Sequence, residues 1–178
     1  MSEILIIACS ERDESFTLRC AQLIESMLSG SKVLDLRDYH LDLFDGKKDT
    51  QANLPSLKES FRMARQVLFV SPEYNWSISP NAKNLIDYLS FEPELWDDKV
   101  FACFGCSAGR GGRLPIIELW KIINKLISFS HAISILSPYH VEFNAGALDD
   151  SKNFSESFQS TLRKALDHHQ RLAKRFQG

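Results

Sequence analysis

Short apolar runs recur along the chain at residues 3–8 (EILIIA), 32–36 (KVLDL), 66–71 (QVLFVS), 99–105 (KVFACFG) and 132–137 (AISILS). Most are continuous rather than alternating, the pattern of strands buried on both faces of a parallel sheet. Between them the apolar positions change to helical spacing. Phe16, Cys20, Leu23, Ile24, Met27 and Leu28 share one helical face, and Ala82, Leu85, Ile86 and Leu89 share another. Ile116, Trp120, Ile123 and Ile127 mark a third helix, and residues 55–64 a shorter one opening with Pro55. The series Phe154, Phe158, Leu162, Leu166, Leu172 and Phe176 predicts a last helix at the C-terminal end.

The order βαβαβαβαβα with right-handed crossovers predicts an α/β fold: a three-layer, doubly wound, five-stranded parallel sheet with the flavodoxin-like strand order 2-1-3-4-5. Ligands of such sheets sit beyond the carboxyl ends of the strands, where strands 1 and 3 diverge, so the loops after the first, third and fourth strands are the ones to read for chemistry. Residues 37–54 and 137–153 are polar and strand-poor and read as surface excursions, each a candidate oligomer contact or lid.

Composition narrows the picture. A chain of 178 residues fits one domain, 1–178, and 44% apolar with 25% charged residues is that of a globular protein. The net charge of −2 comes with scattered basic residues, which leaves no footprint for nucleic acid or an anionic membrane. The N-terminal apolar run is too short for a signal peptide and no run could span a bilayer, so a cytoplasmic protein is expected. Of the four cysteines only CFGC, residues 103–106, is a close pair. On a strand its two thiols point to opposite faces, and no second pair completes a ligand set. His40, His131 and His140 show no ligand spacing, and His168 and His169 fall inside the last helix, so no metal is expected. Neither Ser10 nor Ser107 lies in a G-x-S-x-G elbow, which argues against a hydrolase.

The three loops carry the candidate chemistry. The first, ACSERDESFT (8–17), leads into a helix whose free amides and dipole suit an anion. Ser10, Ser15 and Thr17 add hydroxyls and Arg12 a guanidinium. An equal alternative is that Ser15 only caps the helix while Arg12 and Glu11 are solvated. The second, SPEYNWSISPNAKN (71–84), offers Tyr74 and Trp76 as π faces and Asn75 as donor and acceptor, matching the edge and face of a planar heterocycle, or else it is a structural turn. The third, GCSAGRGGR (105–113), lets backbone approach a ligand closely, with Arg110 and Arg113 able to stabilise negative charge or to catch a second nucleotide's phosphate. Its alternative is a flexible loop with solvated arginines.

PEYNWSISPNAKNLIDYLS, residues 72–90, resembles the PEYN-x-S-x-P-x-x-L-K-N-x-x-D-W signature of the NADPH-dependent FMN reductase family, which includes bacterial quinone, azo-dye and chromate reductases. CSERDESFT is similar to that family's phosphate loop, and GCSAGRGG stands at the place of its glycine-rich flavin loop. The resemblance implies FMN and NADPH (or NADH) as cofactors. Ser10, Arg12, Ser15 and Thr17 would bind the FMN phosphate, with Phe16 beside them. Pro72, Glu73, Tyr74 and Asn75 would line the ring and ribityl side, and Ser107, Gly109, Arg110 and Gly111 would face the pyrimidine edge. Lys83, Asn84 and Asp87 match the KN-x-x-D positions and read as support for the loop or a subunit contact, with Lys83 and Asp87 at ion-pair spacing. The chain departs from the pattern at Cys9, which replaces a glycine, at Ser79 and Pro80, where the proline is displaced by one position, and at Ala82, which replaces a leucine.

With FMN bound, the chemistry would belong to the cofactor and no side chain would be catalytic, Arg110 serving as a charge stabiliser. The implied activity is transfer of electrons from a nicotinamide to a quinone, free flavin or similar small acceptor by a ping-pong hydride mechanism. The alternative is an FMN-binding electron carrier or redox sensor without efficient nicotinamide turnover. The family further implies a homodimer or homotetramer, for which Phe91, Trp96 and Trp120 are candidate contacts, each as easily a core residue.

Overall fold

The computed structural model describes residues 3–47 and 53–178. The elements run β1 (Ile4–Ala8), α1 (Phe16–Met27), β2 (Ser31–Asp35), α2 (Leu54–Met63), β3 (Gln66–Pro72), α3 (Pro80–Leu89), β4 (Val100–Cys106), α4 (Arg113–Phe129), β5 (Ile135–Leu136), β6 (Glu142–Phe143) and α5 (Glu156–Gln177). Short 3-10 turns occupy Leu36–Tyr39, Pro93–Trp96 and Ala145–Ala147.

All strand pairs are parallel, in the order β2-β1-β3-β4-β5, which is the predicted flavodoxin-like order. Every residue of β1, β3 and β4 is buried, as their unbroken apolar runs require. Alternate residues serve two separate cores. Leu5, Ile7, Val67, Phe69, Phe101 and Cys103 pack against α2, α3 and α4, while Ile6, Leu68, Val70, Ala102, Phe104 and Cys106 pack against α1 and α5. Cys103 and Cys106 thus point to opposite faces, and all four thiols are free and buried. No helix among the described residues is long and apolar enough to cross a membrane.

Three expectations are corrected. The fifth strand contracts from 132–137 to Ile135–Leu136; Ile135 and Ser137 donate to the carbonyls of Lys99 and Phe101, and the chain leaves the sheet at Pro138. The chain returns at Glu142–Phe143, inside the expected excursion, to pair with Gly105 and Cys106 at the far end of β4. Trp96 is fully buried between Phe61 and Phe101 and belongs to the core, whereas Trp120 is half-buried and Phe91 stands at the surface. Of the excursion at 37–54, residues 48–52 lie outside the described residues. Its earlier part is latched by Asn84, which donates to the Asp42 carbonyl at 2.8 Å and accepts from the Phe44 amide at 2.8 Å.

Candidate functional site

The carboxyl ends of β1, β3 and β4 are stepped together by Cys9 N–H donating to Val70 O at 3.0 Å and Glu73 N–H donating to Cys106 O at 2.7 Å. The three loops that leave them enclose a cleft of about 400 Å³ lined by Ser10, Arg12, Glu14, Phe16, Thr17, Pro72, Glu73, Tyr74, Cys106, Ser107, Ala108 and Gly109. Nine of the thirteen residues expected at a flavin site therefore meet in one place. Ser15, Asn75, Arg110 and Gly111 do not line the cleft.

The first loop is shaped by its own polar groups. Ser10 Oγ accepts from Arg12 N–H at 3.1 Å, and Ser15 caps α1 by accepting from Leu18 N–H at 3.0 Å. Ser15 is thus committed to the helix, while the remaining first-turn amides have no intrahelical acceptor. Arg37, which sequence reasoning missed, grips Asp35 through two nitrogens and donates through Nη1 to the carbonyls of Arg12 (2.8 Å) and Asp13 (2.7 Å). The Arg37 guanidinium is held further into its charged form by that carboxylate. Arg12 itself is exposed and has no ion pair among the described residues.

Cys9 turns its β-carbon away from the cleft, into the core with Leu5 and Ile7, and its φ lies outside the left-handed region. Its thiol donates to Ile7 O at 3.4 Å, and burial pushes its pKa well up, so it stays protonated. A glycine is not needed there. The displaced proline is also explained: Pro80 is the first residue of α3, and Ser79 is its cap, accepting from Ala82 N–H at 3.1 Å. Ser79 Oγ also donates to the Cys9 carbonyl, joining the second loop to the first. The serine-proline pair was the legible signal for this cap.

In the second loop Tyr74 and Ser77 exchange backbone bonds of 3.1 and 3.0 Å around a two-residue turn. Asn75 (φ 50°) and Trp76 (φ 65°) both have positive φ, as a type I′ turn requires. Asn75 therefore has a backbone reason for its place. Glu118 of α4, also unforeseen, fixes the turn by accepting from Ser77 Oγ at 2.5 Å and Ile78 N–H at 3.1 Å, and these bonds lower its pKa.

Glu73 faces the third loop, accepting from Gly112 N–H at 2.6 Å. Gly105 permits the loop's return, since a β-carbon there would lie 1.7 Å from Gly112 O. Ser107 N–H donates to Phe143 O and Ala145 N–H to Gly109 O, so β6 and the turn after it hold the loop's outer side. Arg113 is paired with Glu142 at 2.6 Å, while Arg110 stands exposed without an ion pair among the described residues.

Two features of the cleft suit a ligand. Among the described residues Tyr74 Oη is buried without a hydrogen-bond partner, and the cationic Arg12 stands beside the N-terminus of α1 with two hydroxyls, Ser10 and Thr17, close by. The residues present fit a phosphate-bearing planar cofactor. Among the described residues no cluster of His, Cys, Asp or Glu could hold a metal ion.

An NADPH:quinone oxidoreductase of Arabidopsis thaliana is 37% identical over 76 residues, covering 40% of this chain and 39% of that protein. A probable NADPH:quinone oxidoreductase 2 of Oryza sativa is 33% identical over 107 residues, covering 57% and 52%. The chain thus spans about half, or less, of the length of these relatives. The flavoenzyme FerB, an NAD(P)H:(acceptor) oxidoreductase from Paracoccus denitrificans, superposes over 99% of both chains with a TM-score of 0.78 at 20% identity, which establishes the shared fold. The family model described as NADPH-dependent FMN reductase matches residues 2–140, and the chain belongs to that family.

Proposed function

We propose that residues 1–178 form one FMN-binding domain that passes electrons from NAD(P)H to a quinone, free flavin or similar small acceptor in a ping-pong cycle. The observation that carries this reading is the convergence of three loops on one cleft, with Arg12 unpaired at the start of α1 and Tyr74 Oη buried and unpartnered. The names of the relatives, quinone oxidoreductases and an NAD(P)H:(acceptor) oxidoreductase, support it.

Bound there, FMN would supply the acceptance and return of a hydride equivalent. The chain's own part is binding and orientation. Ser10, Thr17, Arg12 and the first amides of α1 hold the phosphate. Pro72 and Tyr74 flank the ring, the Tyr74 hydroxyl gaining the partner it lacks, and Ser107 and Gly109 present backbone to the ring edge. Ser15 and Gly111 act behind these residues, by capping α1 and leaving room for Glu73, which fixes the third loop from the cleft wall. Arg110 is placed to neutralise charge that develops on the ring only by swinging in from the surface. The family resemblance favours a homodimer or homotetramer, for which exposed Leu114 and Ile117 on α4 are candidate apolar contacts.

The test is the visible spectrum of the protein after FMN loading and removal of free flavin, then after anaerobic NADPH. Retained flavin that bleaches quickly supports the reductase. Retained flavin that stays oxidised would replace it by an electron carrier, and no retained flavin would overturn the cofactor assignment. Arg12→Gln is expected to weaken FMN binding by about ten- to a hundredfold, the worth of a charge-assisted bond.

A further inference from the structure

The turn of the second loop carries one side chain that the fold does not use. Trp76 is 80% exposed, and its φ of 65° is a left-handed conformation that a bulky residue adopts only at a free-energy cost. The turn is held in that shape from outside, by the paired Tyr74–Ser77 bonds and by Glu118. Glycine at position 76 would make the same turn without strain, so the turn does not account for an indole. A strained, exposed aromatic kept in place by its neighbours points to use in binding.

Its location narrows the ligand. Tyr74, which opens the turn, lines the cleft, and the ends of such a turn lie within about 7 Å of one another. Trp76 thus stands two residues beyond a wall of the cleft, on the same turn. Resting on the reading of this cleft as a flavin site, we infer that Trp76 is a specificity-determining residue that stacks on planar aromatic acceptors at the cleft mouth, favouring quinone-like rings over compact or non-planar acceptors.

Wild type, Trp76→Ala, Trp76→Phe and Trp76→Gly are loaded with FMN, and flavin retention is measured first. The oxidised proteins are then titrated calorimetrically with 2-naphthoate, a planar ring that takes no electrons here, and with cyclohexanecarboxylate. Trp76→Ala is expected to weaken 2-naphthoate binding about five- to tenfold, Trp76→Phe less than about twofold, and cyclohexanecarboxylate is expected to distinguish none of them. Trp76→Gly is expected to lose the same affinity while melting no lower than wild type, because glycine relieves the left-handed position. In turnover the alanine variant raises KM for a naphthoquinone and leaves kcat/KM for ferricyanide unchanged. Equal 2-naphthoate affinity in wild type and Trp76→Ala, with flavin retained, would overturn the assignment. So would a fall in molar mass of Trp76→Ala by light scattering, which would give the indole to a subunit contact. A wild type that retains no flavin would instead overturn the cleft reading beneath it.

Discussion

At Gly111 a β-carbon would lie 2.6 Å from a carboxylate oxygen of Glu73, so Gly111→Ala must push that carboxylate off the Gly112 amide. The third loop then loses its anchor, and FMN retention in a dialysis assay is expected to fall about tenfold, the worth of one such bond. Gly105→Ala is harsher, since its β-carbon would strike the Gly112 carbonyl, backbone against backbone. A loss of about 3 kcal/mol or more is expected from urea unfolding. Both glycines stand in a loop whose sequence already reads as ligand-facing, but their task is to let strand, loop and Glu73 meet. The motif places Glu73 at the cleft, which it lines, and only the fold shows its carboxylate also holding the Gly112 amide of the third loop. His169 on α5 was legible as a helical residue and no more. It is fully buried, with both ring nitrogens unpartnered among the described residues, and burial lowers its pKa to about 4. Between that value and the ordinary 6.5 the unfolded chain binds the proton that the folded chain refuses. Stability is therefore complete above pH 6.5 and declines as pH falls toward 4, by about 2 kcal/mol at pH 5. His169→Leu is expected to flatten this part of the urea-midpoint profile against pH.

Among the elements, the five helices and the strands β1 to β4 were legible because propensity, periodicity and burial agree: continuous apolar runs for strands, one apolar face for each helix, and serine or proline at the helix starts. The ties between elements were not, because each joins residues far apart in sequence. Arg37 reaches from the end of β2 to the carbonyls of Arg12 and Asp13, Glu118 from α4 to the turn after β3, and Ser79 from α3 to Cys9. Nothing local in the chain announces such partners. Arg37→Ala should leave the sheet intact and loosen the first loop. The expected outcome is FMN binding weakened about tenfold with little change in melting temperature of the flavin-free protein, measured by flavin fluorescence and circular dichroism. Ser79→Ala removes a cap and the tie to Cys9 together and should cost about 1–2 kcal/mol in unfolding free energy.

For the whole molecule, the proposed cofactor joins three loops that the sheet holds only at their roots. A ligand that binds only the folded chain stabilises it by about 2.7 kcal/mol at a hundred times its dissociation constant. In a protein of this size that corresponds to a rise of about 5–10 °C in melting temperature, checked by calorimetry with and without FMN. Arg12→Gln should lose most of the rise at the same FMN concentration. The divided fifth strand has a different bearing. β4 is buried along its whole length and has only two-residue partners on its outer side, at Ile135–Leu136 and Glu142–Phe143, with Ser137 to Val141 detouring between them. A complete fifth strand would have ended the sheet in a straight row of unpaired amides and carbonyls, to which a neighbouring molecule could add its own strand. Two stubs separated by a proline-bearing detour offer no such row, so the same interruption that carries β6 to the third loop guards this edge against fibril growth at high concentration.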